Sequence, residues 1–282
     1  VGGHVVDALR SNADDVIVVD KEHPVTPVDL CDIGRGLLEG IQAIVHCAAY
    51  ADLRHNWESL DEREAQWTDN VRATIALLER MPPVPLIFTS SASVYGSQCV
   101  GRTTPVTEED AHPDTCESPY AASKLACEAI IASYAYFKGF PYYNLRLVNQ
   151  VGSRSHRGVI ADFVLMAKLD GFVHAADDGS QEKSWVHVED TADAIVSLLQ
   201  QVHNVPSGTY NMTSADRVSW WRIVEIMREA RSFEVTHEPR RKGAVGDPED
   251  ITVSGEKMAT FYKPWRNVND GIRDALRSLG WP

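Results

Sequence analysis

FTSSASVYG at residues 88–96 and SPYAASK at residues 118–124 are separated by a polar loop. The apolar run that ends at Ser90 reads as a buried strand, and it delivers Ser91 at its end. The second segment opens a helix that runs to about Phe137 and is stopped by Gly139 and Pro141. Tyr120 and Lys124 lie four residues apart on one face of that helix. An ammonium beside a phenol favours the phenolate and lowers the tyrosine pKa from its usual value of about 10. A tyrosine so tuned can take a proton from a sugar hydroxyl and return it, with Ser91 sharing a hydrogen bond to that hydroxyl. Tyr134 and Lys138 repeat the spacing with no serine-rich strand end before them, so that second pair reads as surface decoration.

Outward from this stretch, strands alternate with helices, which predicts an α/β fold built on a doubly wound parallel sheet. The run HVVDALR (4–10) reads as a helix and residues 15–20 as a buried strand ending in Asp20. A helix followed by such a strand is the second half of a dinucleotide-binding unit. Its first half, a strand and most of a glycine-rich loop, is expected to precede Val1, with Gly2 as the last glycine of that loop. Residues 25–30 read as a short strand that follows Asp20 too closely for an ordinary parallel crossover. Residues 41–49 read as a strand running into the small residues Cys47, Ala48 and Ala49, which let a ligand approach the backbone. Residues 52–69 are polar, and Asn70 begins an amphipathic helix, either as its N-cap or as a brace for the site. Helices are expected over 190–201, 218–231 and 269–279, and strands over 142–148 and 208–212.

The chain has 282 residues, 44% hydrophobic and 24% charged, which is ordinary for a globular protein. Its net charge of −13 argues against nucleic acid and anionic membrane surfaces as partners. No 18-residue apolar run spans a bilayer. Five cysteines without a C-x-x-C pair fit free thiols in a reducing cytoplasm, and no metal site is expected.

Ser91, Val94-Tyr95-Gly96 and Ser118-Pro119-Tyr120 with Lys124 together resemble the extended short-chain dehydrogenase/reductase family, in particular its NAD-dependent nucleotide-sugar epimerases similar to UDP-glucose/galactose 4-epimerase. The resemblance implies a Rossmann-like NAD-binding domain at 1–148. It also implies a smaller C-terminal α+β region for the nucleotide sugar at 149–282, with Trp185–Asp190 returning to the first domain. It implies Tyr120, Lys124 and Ser91 as catalytic residues. Gly2, Asp20, Asp29, Leu30, Cys47, Ala48, Ala49, Asn70 and Ser90 would join Tyr120 and Lys124 around NAD. Asp20 at the adenosine ribose disfavours a 2′-phosphate and so favours NAD over NADP. Asn149, Arg157, Val159, Lys183 and one of Arg240 or Arg241, with Arg241 preferred, would join Ser91 around a UDP-sugar. The basic residues Arg154, His156 and Arg157 before the helix at 159 read either as an anion site or as a solvated loop. A homodimer formed through residues 70–80 and 120–137 is expected.

The implied reaction is 4-epimerisation through a 4-keto sugar. Sugar dehydratases of the family carry an Asp-Glu pair where Ala92 and Ser93 stand, and glucuronate decarboxylases a glutamate at position 93. Neither residue present does proton chemistry near neutral pH. UDP-glucose/galactose is the favoured substrate, because GVIADF (158–163) is similar to the hexose epimerases. The alternatives are a UDP-glucuronate 4-epimerase, a reductase or dehydrogenase that releases its cofactor, and a non-catalytic NAD-binding module.

Overall fold

The computed structural model describes residues 1–12, 14–23, 27–51, 59–100, 102–176, 179–238 and 251–282. Helix α1 (Gly2–Ser11) opens the chain and strand β1 (Ile44–His46) follows. Helix α2 (Leu60–Ala65) continues through a π-wound stretch, Gln66–Arg72, into α3 (Ala73–Arg80). Then come β2 (Leu86–Ser91), α4 (Pro119–Lys138) and β3 (Tyr142–Leu147). After them lie β4 (Asn149–Val151), α5 (Val159–Leu169), β5 (Phe172–Ala176), β6 (Glu182–His187) and α6 (Val188–Gln200). The described chain closes with β7 (Gly208–Met212), β8 (Arg217–Ser219), α7 (Trp220–Ala230), β9 (Glu234–Glu238) and α8 (Val268–Ser278).

The main sheet is parallel, in the order β1-β2-β3-β7. Side chains of β2 alternate between its two faces, as strand geometry requires. Leu86 and Phe88 pack with Leu77, Leu78, Cys127 and Ile131 of α3 and α4. Ile87 enters the opposite cluster, with Val5 of α1 and Ile195 and Leu198 of α6. Helices on both faces make the sheet doubly wound, which is why its strands read as continuous apolar runs. Helix α4 begins where Ser118 accepts a hydrogen bond from Ala121 N and Pro119 occupies the first turn, and it ends at left-handed Gly139.

A second core gathers α5, α7 and α8 around β4, β6 and β8, with Val151, Phe163, Trp185, Ile223 and Ile272 at its centre. The chain returns to the main sheet for longer than Trp185–Asp190. All of α6 covers that sheet and β7 pairs with β3, so the return extends through Met212.

Several expected elements differ. Residues 15–20 are irregular and form no ladder, and Ile17 is 61% exposed, because among the described residues no strand pairs with them. Val25 lies outside the described residues. Residues 27–29 are irregular, and Leu30–Asp32 is a 3₁₀ turn capped by the Asp29 carboxylate, which accepts from Cys31 N at 2.8 Å. The strand expected over 41–49 is confined to Ile44–His46. Asn70 is not an N-cap. The helix starts at Leu60, behind a Ser59 cap, and Asn70 sits inside the π-wound stretch. The helix expected over 218–231 starts at Trp220, because Arg217–Ser219 pairs with β6 first. Tyr134 and Lys138 are a tether rather than decoration. The Tyr134 hydroxyl donates to Glu79, and Lys138 Nζ donates to the Leu78 carbonyl at 2.5 Å, satisfying the end of α3.

Residues 262–266, a C-terminal strap ahead of α8, are bonded to the buried Asp190 carboxylate. Asp190 accepts from the Tyr262 hydroxyl at 2.8 Å, Arg266 Nη1 at 2.9 Å, Arg266 N at 3.0 Å and Trp265 N at 3.2 Å. Asp190→Ala strands two backbone donors and the Tyr262 hydroxyl, while Arg266 keeps Asp193 and Glu189, so urea unfolding should show a loss of about 2–4 kcal/mol. A change below about 0.5 kcal/mol would mean that the strap is anchored elsewhere.

Candidate active site

Ser91 stands at the carboxyl end of β2 and caps the short turn Ala92–Tyr95, its Oγ accepting from Ser93 N at 3.2 Å. The chain then leaves through Gly96, whose φ is +60° and where a Cβ would overlap the Thr115 carbonyl. Thr115 Oγ1 donates to the Val94 carbonyl at 2.5 Å, and Ser97 N donates to Glu117 at 3.1 Å. These contacts fold the 97–117 loop back, so that α4 starts beside the strand end it left. Tyr120, in the first turn of α4, is thereby brought near Ser91, whose hydroxyl acts to lower the Tyr120 pKa.

Lys124 lies one turn further and is 2% exposed. Its Nζ donates to the Thr89 carbonyl at 2.8 Å and sits 4.5 Å from the Phe88 ring centre and 5.8 Å from that of Tyr120. Burial pushes the Lys124 pKa down to about 8, while Cys127, Cys47 and Glu128 pull it back up. Burial pushes the Tyr120 pKa up to about 12 against the opposing influence of Ser91. The expected lowering of Tyr120 is therefore absent from this structure. Desolvation of the phenolate outweighs a lysine whose own charge is weakened and whose bond goes to a carbonyl.

Asn70 organises the ground behind these groups. Its Oδ1 accepts from Tyr50 N at 2.7 Å. Its Nδ2 donates to Tyr50 O at 3.2 Å, Gln66 Oε1 at 2.9 Å and Ser123 Oγ at 2.9 Å. Through these bonds Asn70 positions the loop after β1 against α4. Ser90 is also bonded towards the interior. Its Oγ donates to buried Glu128 at 2.5 Å, because alternation on β2 turns it towards α4.

Of the other expected cofactor residues, Gly2 and Cys47–Ala49 come together at the carboxyl end of β1. Gly2 lies against Cys47, where a Cβ on Gly2 would be 3.5 Å from that of Cys47, and Ala48 and Ala49 follow. The first turn of α1 carries no acidic side chain, so its backbone N–H groups present a positive pole there. That donor set suits the pyrophosphate of NAD. Asp20 and Asp29 are exposed, Asp20 accepting from Glu22 N at 2.8 Å, and Leu30 is half-buried.

The expected substrate residues are more dispersed. Asn149 Nδ2 donates to the Ser184 carbonyl at 3.1 Å, Val159 starts α5, and Arg157 is exposed just before it. Arg154 pairs with Asp7 of α1 and packs over Gly3, so it joins the cofactor side. Lys183 is buried, with Nζ 5.8 Å from the Trp220 ring centre. Arg240 and Arg241 lie outside the described residues. The sequence reading missed Glu128 and Arg146, a buried ion pair behind Ser90. The four-residue step from Lys124 to Glu128 was the available signal.

Residues 1–213 match the NAD dependent epimerase/dehydratase family. A UDP-glucose 4-epimerase of Lactobacillus helveticus is 28% identical, the match covering 98% of this chain and 93% of that one. A crystal structure of a UDP-galactose 4-epimerase superposes with a TM-score of 0.80 at 25% identity, covering 99% of this chain and 95% of that chain. The Bacillus cereus UDP-glucuronic acid 4-epimerase, in complex with UDP-glucuronic acid and NAD, superposes with a TM-score of 0.85 at 20% identity, with the same coverage.

His46 supplies a pH test of the buried ground. Its Nε2 donates to Thr74 Oγ1 at 2.9 Å, since the Thr74 proton goes to the Asn70 carbonyl at 2.6 Å. Burial, aided by the Lys124 charge, pushes the His46 pKa from 6.5 down to about 3. Between those values the unfolded chain binds a proton that the fold refuses, so stability falls as pH falls. At pH 5 this costs about 2 kcal/mol. His46→Gln should flatten that part of the stability–pH curve in denaturant titrations; an unchanged slope would place the proton elsewhere.

Proposed function

The chain belongs to the NAD dependent epimerase/dehydratase family, and from that membership we propose that it is a UDP-sugar 4-epimerase acting through a 4-keto sugar. The observation that carries this is the Tyr120 hydroxyl, close enough to Ser91 at the carboxyl end of a parallel strand to have its pKa lowered by it, with Lys124 one turn behind it. NAD, when bound, accepts the hydride from the sugar C4 and returns it to the opposite face. Gly2 and the first turn of α1 would hold the pyrophosphate, Cys47–Ala49 would leave room for the nicotinamide half, and Asp20 would meet the adenosine ribose.

Tyr120 Oη takes the proton of the sugar 4-hydroxyl as the carbon is oxidised and gives it back when the carbon is reduced. Ser91 Oγ orients that hydroxyl and the phenol together. Lys124 supplies the positive charge behind the phenol, and its lowered pKa leaves that charge responsive to what binds beside it. At positions 92 and 93 stand a buried alanine and a serine whose Oγ has no hydrogen-bond partner. Neither supplies the further acid–base group that dehydration or decarboxylation needs, which supports epimerisation.

Asn149, Val159, Arg157 and Lys183 would meet the nucleotide sugar between the two cores, and Arg241, outside the described residues, is the further candidate for its diphosphate. The neutral hexose is favoured by the similarity of residues 158–163 to hexose epimerases and by the UDP-glucose 4-epimerase relatives. Exposed Arg157 and the glucuronate-bound structural neighbour keep a uronate as the second reading. A homodimer through α3 and α4 is supported by the exposed face of α4, where Tyr136 is 94% and Phe137 85% exposed. Five free thiols support a reducing, cytoplasmic setting.

Tyr120→Phe should keep the fold and NAD binding while kcat falls by roughly 10²–10⁴. Tyr134→Phe, which removes only the tether to Glu79, should leave the rate within about twofold. Equal losses would sink the assignment of Tyr120. For the sugar, kcat/KM should be higher for UDP-galactose than for UDP-galacturonate, with Arg157→Ala not selective against the uronate. A hundredfold preference for the uronate, about 2.7 kcal/mol, abolished by Arg157→Ala, would establish the second reading instead.

A further inference from the structure

Glu128 and Arg146 form a bidentate ion pair in the interior, with side chains 6% exposed on both partners. Arg146 Nε meets Glu128 Oε1 at 3.0 Å and Nη2 meets Oε2 at 2.7 Å. The pair is bonded outward on both sides. Ser90 Oγ donates to Glu128 at 2.5 Å. Arg146 Nη1 donates to the Tyr95 hydroxyl at 3.1 Å and to the Glu108 carbonyl at 2.7 Å. The Tyr95 hydroxyl in turn donates to Asn211 Oδ1 on β7, whose backbone N donates to Glu108 Oε1 at 2.7 Å.

Taking two charges out of water costs about as much as their attraction returns, so such a pair is weak evidence for stability. What this pair does have is position. Glu128 lies one turn beyond Lys124 on the face that carries Tyr120. Ser90 precedes Ser91, and Tyr95 closes the turn that Ser91 caps. The pair therefore touches both the helix that carries Tyr120 and Lys124 and the strand end that carries Ser91, without touching any of the three.

We infer that the buried Glu128–Arg146 pair is a positioning device for the proposed reaction, holding α4 and the end of β2 at the register that joins Ser91, Tyr120 and Lys124. The inference rests on the epimerase reading of that site. Glu128 also contributes a negative charge on the Lys124 side, beside Cys127 on α4 and Cys47 after β1, while His46 and Tyr120 complete the titratable groups facing Lys124. Removing Glu128 takes away one influence that keeps the Lys124 ammonium charged.

The test is the double variant Glu128→Leu/Arg146→Met, which removes both charges and leaves neither partner stranded. It is measured as the NAD-loaded protein for kcat and KM, and by carbon-13 NMR titration of Lys124 Cε in the cofactor-free protein. The expected result is a folded protein with KM within about twofold and kcat reduced about tenfold, short of the hundredfold that a full ångström of misplacement costs. The Lys124 midpoint should move to lower pH. A folded double variant with wild-type kcat and an unmoved midpoint overturns the inference. If the double variant fails to fold, Ser90→Ala and Tyr95→Phe decide, since each cuts one bond from the pair to the strand end. Each should lower kcat severalfold at constant KM, and wild-type kcat in both overturns the inference. The Lys124 titration needs no substrate, so a protein that epimerises no UDP-sugar would fail the epimerase reading while still testing the positioning.

Discussion

Lys124 puts an ammonium into the interior of a helix–sheet interface, and much of the surrounding structure answers to that charge. The Thr89 carbonyl accepts its proton and the faces of Phe88 and Tyr120 lie near it. Glu128 lies one helical turn away. Each of these groups is held by something larger. Thr89 and Phe88 belong to β2, which is buried on both faces, and Tyr120 and Glu128 belong to α4, whose start depends on the fold of the 97–117 loop. A charge held this way is only partly compensated, so burial pushes the Lys124 pKa down to about 8.

The same low-dielectric surroundings act on Tyr120 in the opposite sense. Burial disfavours phenolate as it disfavours ammonium, so the tyrosine is driven upward while the lysine is driven downward. The pair is poised to respond to charge brought in by whatever binds beside it. Ser91 is the partner that offsets desolvation at the hydroxyl, and its place depends on Gly96, where the backbone leaves no room for a side chain. Behind them, Asn70 joins the π-wound helix, the loop after β1 and Ser123 of α4 through one amide. A buried polar group with every bond made fixes the relative positions of three segments.

The second core shows how the two halves of the chain are connected. Its own residues pack around α5, α7 and α8, yet α6 and β7 lie on the main sheet and Asp190 at the start of α6 anchors the C-terminal strap. The strand and loop positions of the expected nucleotide-sugar residues are set from both sides. Asn149 hydrogen-bonds β6 and Arg154 reaches back to α1.

Local pattern was sufficient for much of this protein. Strand-like runs at 86–90, 142–148 and 208–212, alternating with helical patterns, identified the central strands. The four-residue step from Tyr120 to Lys124 and the stop at Gly139 identified the helix that faces them. The residue types at positions 92 and 93 were enough to separate the chemistry from that of relatives with acids there. Tertiary structure alone decided the rest, because the deciding terms were non-local. Residues 15–20 have the composition of a strand, but a ladder needs a neighbour, and no described strand supplies one. Asn70 reads as a cap or a brace, and only the approach of Tyr50 and Ser123 makes it a brace. Lys183 reads as a cation for phosphate, and the packing of α7 puts the Trp220 ring near its ammonium. The direction of the Tyr120 shift followed from burial, a property of the assembled interface that the spacing of two residues on a helix does not contain.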